Sequence, residues 1–187
     1  MGEAGCLNDG AFQNLQVDGR GDVPRANYVV DSAVAGNLDF STEIDARDKV
    51  IVVTGAKADG TYIRLPEATT SNGGKHIRVI LGIAIADDFA VGFVTTNIIG
   101  GATAIGDTDE GAGSSLDYAI AIADVGDTFK SVRFNLDTVA APGGTGGTVL
   151  DFYYTGAANL VVYRGDCISE IDDPTMSGHF SSTAANA

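Results

Sequence analysis

The stretch KVIVVTGAKADGTYIRLPEATTSNGGKHIRVILG, residues 49–82, decides the fold class. It opens on an unbroken apolar run, as expected of a strand buried on both faces. AKADG then supplies turn chemistry ahead of TYIRL, so 49–65 reads as a hairpin. Pro66 cannot donate to a strand ladder and marks a strand end. Glu67–Gly74 reads as a surface loop, with a new strand starting at Lys75. In KHIRVILGIAI, Ile77, Val79, Leu81, Ile83 and Ile85 share one face at period two, and His76, Arg78 and Ile80 take the other.

The pattern repeats outward from there. DFAVGFVTT alternates Phe89, Val91 and Phe93, and SLDYAIAIADV alternates Leu116, Tyr118, Ile120 and Ile122. SVRFNLDT points Val132, Phe134 and Leu136 inward. TVLDFYYTG and NLVVYRGDCI close as a pair around TGAAN. The signals before residue 49, NYVVDSAV and LDFSTEI, are weaker. With 25 glycines and no tryptophan, the chain reads as an all-β, sandwich- or jelly-roll-like domain of about nine strands. Its expected limits are residues 26–171, without internal repeats. An N-terminal arm (1–25) precedes it and a loose C-terminal tail (172–187) follows.

The arm is rich in Gly, Asn and Asp, and Phe12, Leu15 and Val17 are too sparse for a core of their own. Two readings fit: a solvated terminus, or an arm that docks on a neighbour through those three side chains.

The formal charge is −14, from 25 acidic and 11 basic residues. The basic residues are scattered singly, which argues against nucleic acid as a partner, because phosphate binding needs clustered Lys and Arg. The same charge favours solubility and leaves oligomer contacts to apolar and backbone groups. No apolar stretch is long enough to span a membrane. The N-terminus lacks the basic-then-apolar form of a signal peptide. On that ground Cys6 and Cys167 are expected as free thiols.

The search for chemistry yields little. His76 and His179 lack partners at metal-ligand spacing. GDTDEGAGSSLD, with Asp107, Asp109, Glu110 and Asp117, departs from the calcium-loop pattern. GAGSSLD misses the nucleophile elbow at its last glycine. SNGGKH and PGGTGGT lack the helix a phosphate cradle requires. Asp87-Asp88 and Asp172-Asp173 are neighbours whose side chains diverge. The expectation is a protein with no catalytic residues, no metal and no cofactor. Arg20-Gly21-Asp22 and Arg164-Gly165-Asp166 repeat an adhesive triplet, but Gly-Asp is also common turn chemistry.

The succession KVIVVTG, YIRLP, a small-residue loop and GKHIRVILG, within 49–94, resembles the small β-rich capsid decoration (cement) proteins of tailed bacteriophages, especially marine ones. The resemblance implies a non-enzymatic virion protein, made in the host cytoplasm. It would sit on the outer face of the capsid, often as a trimer, and brace the major capsid protein. Phe12, Leu15 and Val17, with Phe180 in the tail, are then the candidate capsid or oligomer contacts. An adhesive or carbohydrate-binding sandwich of a phage fibre is the alternative.

Overall fold

The computed structural model describes residues 27–32, 36–41, 49–58, 60–83, 88–107, 118–122, 128–134, 144, 146–169 and 179–185. These form two mixed sheets, with twelve strands among the described residues. The strands are β1 (Asn27–Asp31), β2 (Leu38–Asp39), β3 (Lys49–Val53), β4 (Tyr62–Arg64), β5 (His76–Leu81) and β6 (Phe89–Gly92). They continue as β7 (Asn97–Asp107), β8 (Tyr118–Ile122), β9 (Ser131–Phe134), β10 (Val149–Tyr154), β11 (Leu160–Ser169) and β12 (Phe180–Ser181). The all-β sandwich expectation holds, with more strands than the nine anticipated.

One sheet has the order β1-β3-β5-β10-β11-β7-β8, the other β12-β9-β6-β4-β2. From β1 to β6 the chain alternates between the two sheets, and successive strands within each sheet pair in parallel. This is a winding, and it corrects two expectations. Residues 49–65 are no hairpin: β3 pairs with β1 and β5, while β4 lies in the other sheet between β2 and β6. AKADG turns the chain from one layer to the other instead of back onto the same strand.

A repeat also exists, hidden by unequal coil lengths. Asn27 lies opposite Lys49 and Lys49 opposite Ile77, steps of 22 and 28 residues. In the facing sheet Leu38 lies opposite Ile63 and Ile63 opposite Val91, steps of 25 and 28. Three coils result, each too small to bury its apolar face alone, which is why they stack. The second half departs from the winding. β5, β10 and β11 are antiparallel neighbours, β11 pairs in parallel with β7, and β9 returns antiparallel to β6. The 149–169 pair expected around TGAAN is present.

The core lies between the sheets. Ile51, Val53, Ile77, Val79, Leu81, Leu150 and Phe152 from one sheet meet Ile63, Phe89, Val91, Val132 and Phe134 from the other. Phe93 closes edge-on against Phe152, with centroids 5.8 Å apart. The expected inward sets 77/79/81 and 89/91/93 are all fully buried. Ile83 is exposed, beyond the end of β5. In β3, Ile51 and Val53 are buried while Val50 and Val52 are only partly covered. KVIVV is therefore a strand with one core face, not two.

Two charged side chains tie the coils together where the chain changes sheet. Lys57 is fully buried; its ammonium donates to the Asp31 carboxylate and, at 2.9 Å, to the Gly36 carbonyl. It locks the turn after β3 onto the turn after β1. On the opposite side, the Glu67 carboxylate accepts from the backbone N–H of Val94 (2.8 Å) and Thr96 (2.7 Å). It also accepts from the hydroxyls of Thr95 and Thr96, both at 2.7 Å. Residues 67–74 are thus a built junction more than a free surface loop. Asn72 is buried and donates to the Glu67 carbonyl at 2.8 Å. The Tyr154 hydroxyl donates to the Pro66 carbonyl at 2.7 Å. A Cβ on Gly73 would stand 2.6 Å from the Gly156 Cα, so only glycine lets this loop seat against the β10–β11 turn.

Part of the tail expected to be loose is also docked. Phe180 and Ser181 pair with Val132 and Ser131. His179 is fully buried and Ala185 nearly so.

Candidate functional site

The most distinctive surface is the outer face of the seven-stranded sheet, where alternate residues of β1, β3, β5, β10 and β11 turn away from the core. Strand register aligns them in rows. Val30 lies opposite Val52, Val52 opposite Ile80, and Ile80 opposite Val149. Four aliphatic side chains thus cross four adjacent strands. Val30 is 66% exposed, and the other three are partly covered. Cross-strand contacts among β-branched residues fix the row in place, so the surface is preorganised.

The next row begins with Tyr28 and Val50 and is polar from Arg78 onward. Arg78 lies opposite Asp151, and Asp151 opposite Arg164. Arg78 donates Nε to Asp151 Oδ1 at 2.7 Å and Nη2 to Oδ2 at 2.9 Å, a two-pronged pair. His76 Nε2 lies 2.6 Å from Asp151 Oδ1. Burial works to raise the Asp151 carboxyl, but the hydrogen bonds and charges of Arg78 and His76 outweigh it and hold the group below its usual range. The same bond holds the Arg78 guanidinium above its usual value. The His76 ring stacks on Tyr153, with centroids 4.5 Å apart and planes 9° from parallel. A histidine and an arginine thus converge on one carboxylate, with the tyrosine ring stacked on the histidine, so the cluster is rigid and internally neutralised. As an acid–base device it is poorly arranged, because the Asp151 charge is already shared between two bases. As a rim beside an apolar row it is well arranged.

A second concavity lies on the outer side of the other sheet. It is about 190 Å³ and is lined by Gly60, Thr61, Tyr62, Asp88, Ala90, Arg133 and Ala185. Arg133 and Asp88 face one another across it at 3.6 Å. It is smaller than the roughly 300 Å³ at which small-molecule sites begin.

The residues singled out from sequence fall in different places. Phe12, Leu15 and Val17 lie outside the described residues, as do Cys6, Arg20-Gly21-Asp22, Asp109, Glu110 and Asp117. Phe180 is spent largely on its own fold. Its ring stacks on Phe129 at 5.5 Å, meets Tyr163 edge-on at 5.6 Å, and is only partly accessible. Arg164-Gly165-Asp166 lies within β11, not in a turn, with Arg164 exposed in the polar row and Asp166 exposed opposite Val149, where it ends the aliphatic row. Cys167 is a buried free thiol whose pKa is raised by burial. His179 sits in an aromatic box, its Nε2 3.1 Å from the Tyr163 hydroxyl. Burial lowers its pKa to about 3, so the ring is neutral. Among the described residues no group of three or more His, Cys, Asp or Glu is placed to hold a metal ion.

Asp151 and Tyr153 were legible in part, because VLDFYY puts them in phase with Val149 on the outward face. Nothing local joins Asp151 to Arg78, which lies 73 residues earlier. Comparison of the chain with family models, with curated proteins and with solved structures finds no match.

Proposed function

We propose that the chain is a non-enzymatic virion structural protein that binds the outer surface of a phage capsid and stabilises the shell by bridging capsomers. The observation that carries this reading is the aliphatic row Val30–Val52–Ile80–Val149 on a rigid sheet face, bordered by the His76–Arg78–Asp151 cluster. A flat apolar strip with a polar border suits a protein surface better than a small substrate, which needs a concave site. The phage assignment itself rests on the resemblance carried by residues 49–94. The partner is then the major capsid protein, with a homo-oligomer, a trimer by that resemblance, as the binding unit.

The mechanism is thermodynamic. A protein that binds only the expanded shell stabilises it by mass action, and many copies add together. The charge of −14 keeps the unbound protein dispersed. The fibre-module alternative calls for an open aromatic platform. Tyr153, which is 40% exposed, has one ring face covered by His76, so its ring offers little stacking surface.

Size-exclusion chromatography with light scattering, followed by sedimentation with purified expanded capsids, tests the proposal. Saturable binding to the expanded shell supports it. A monomer without capsid affinity contradicts it, and retention on a glycan array would favour the fibre module instead.

A further inference from the structure

The outer face of the five-stranded sheet carries a notch that strand register builds. Period two sends Phe89 and Val91 into the core, so Ala90 turns outward between them. Tyr62 lies opposite Ala90, and Ala90 opposite Arg133. A row across three adjacent strands thus runs large, small, large. The volume missing at Ala90 makes the floor of the concavity of about 190 Å³.

The rest of the wall comes from outside these strands. Asp88 enters β6 with φ of +51°, a left-handed backbone that Asp tolerates better than most side chains. Its carboxylate stands 3.6 Å from the Arg133 guanidinium. Ala185 closes another side, nearly fully buried, its N–H donating to the Phe93 carbonyl at 3.2 Å. Arg133 Nη2 also reaches the Ala184 carbonyl at 3.4 Å.

Size and charge together define what fits. A cavity of about 150 Å³ holds a benzene-sized molecule, so this one has room for a single side chain but not for a drug-sized ligand. Its two ionised groups are of opposite sign. An added carboxylate is attracted by Arg133 and repelled by Asp88, and an added ammonium meets the reverse. A carboxamide satisfies both, its oxygen accepting from the guanidinium while its NH2 donates to the carboxylate. The Arg133–Asp88 separation is longer than a hydrogen bond, so a ligand can bridge the two groups without breaking a formed bond between them. A guanidinium has five N–H donors and can keep its present neighbours while it takes a ligand oxygen. The methyls of Ala90 and Ala185 and the Tyr62 ring receive the aliphatic stem.

We propose that this notch is an anchor site for one Gln or Asn side chain of a partner protein, held between Arg133 and Asp88. It lies on the sheet face turned away from the aliphatic row and does not rest on the capsid reading.

NMR titration of the full chain with three blocked amino acids tests it: the N-acetyl methylamides of Gln, Glu and Lys, followed at the Tyr62, Ala90 and Arg133 amides. The Gln probe is expected to saturate with a Kd of roughly 1–10 mM, the range open to a ligand of this size. It should bind at least about tenfold tighter than the Glu or Lys probe. Asp88→Asn removes the repelling carboxylate and should reverse the order, with the Glu probe binding more tightly than the Gln probe. Ala90→Val fills the floor and should weaken the Gln probe about tenfold or more. Equal or tighter binding of the Glu or Lys probe to the unaltered chain, no saturable shift with any probe, or an unchanged order in Asp88→Asn overturns the proposal. Should Ala90→Val fail to fold, Asp88→Asn decides alone, since the Asp88 side chain is about half exposed.

Discussion

The Lys57 and Glu67 junctions do the same work with opposite chemistry. Each reaches from one coil to the next at a point where the chain changes sheet. Among the described residues, Lys57 is a buried cation held by the Asp31 carboxylate and the Gly36 carbonyl. Glu67 is a half-covered anion held by backbone N–H and hydroxyl donors, with no cation among its partners in the described residues. The first depends on charge balance in a dry site and the second on donor geometry. A coil stack can use either, but the two should fail differently.

The largest expected effect follows from breaking the first. Lys57→Met leaves the Asp31 carboxylate buried without its ammonium and should cost about 3–5 kcal/mol of unfolding free energy. Denaturant unfolding measures it, and adding Asp31→Asn should restore much of the loss. Glu67→Gln retains shape but gives up the charge-assisted bonds, with an expected cost of about 1.5–3 kcal/mol. If the two single variants were equal, the contrast between a buried pair and a donor-held anion would collapse.

Acid separates the junctions from the aromatic box. The folded pKa of Glu67 is lowered from 4.5, because hydrogen bonds from Thr96, Thr95 and Val94 overcome the raising effect of burial. Its contribution is full above the unfolded value and fades as pH falls through the folded one. His179 acts earlier. Its folded pKa is lowered to about 3 from 6.5, so the unfolded chain takes up a proton first as pH falls. Stability is therefore lost from pH 6.5 downward, by about 2 kcal/mol at pH 5. Thermal unfolding at pH 7 and pH 5 checks this, and His179→Gln should flatten the dependence over that interval.

The smallest effect on stability is expected at the outer face. Val30→Asp changes an exposed edge-strand side chain and should alter unfolding by less than about 0.5 kcal/mol. Loss of binding there can then be assigned to the surface itself.

What could be read in advance follows from the range of the interactions. Period two exposed the inward faces of β5 and β6, because Ile77, Val79 and Leu81 alternate with His76, Arg78 and Ile80 whatever their partners. The parallel winding was hidden, since AKADG turns a chain equally well into a hairpin or across to a facing sheet. Lys57 looked like one more scattered base, because the carboxylate that buries it lies 26 residues earlier. Phe180 looked like a free anchor, because its neighbours Phe129 and Tyr163 are remote in sequence. Local pattern fixes which side of a strand is apolar, but not which strand lies beside it.

The most direct measurement is the affinity of the folded protein for purified expanded capsids, with the unaltered protein beside a Val30→Asp/Ile80→Gln double variant. The account predicts saturable binding by the former and at least about tenfold weaker binding by the latter, at unchanged oligomeric state. Equal binding by both would show that the seven-stranded sheet is not the contact surface. No binding by either would remove the capsid role itself.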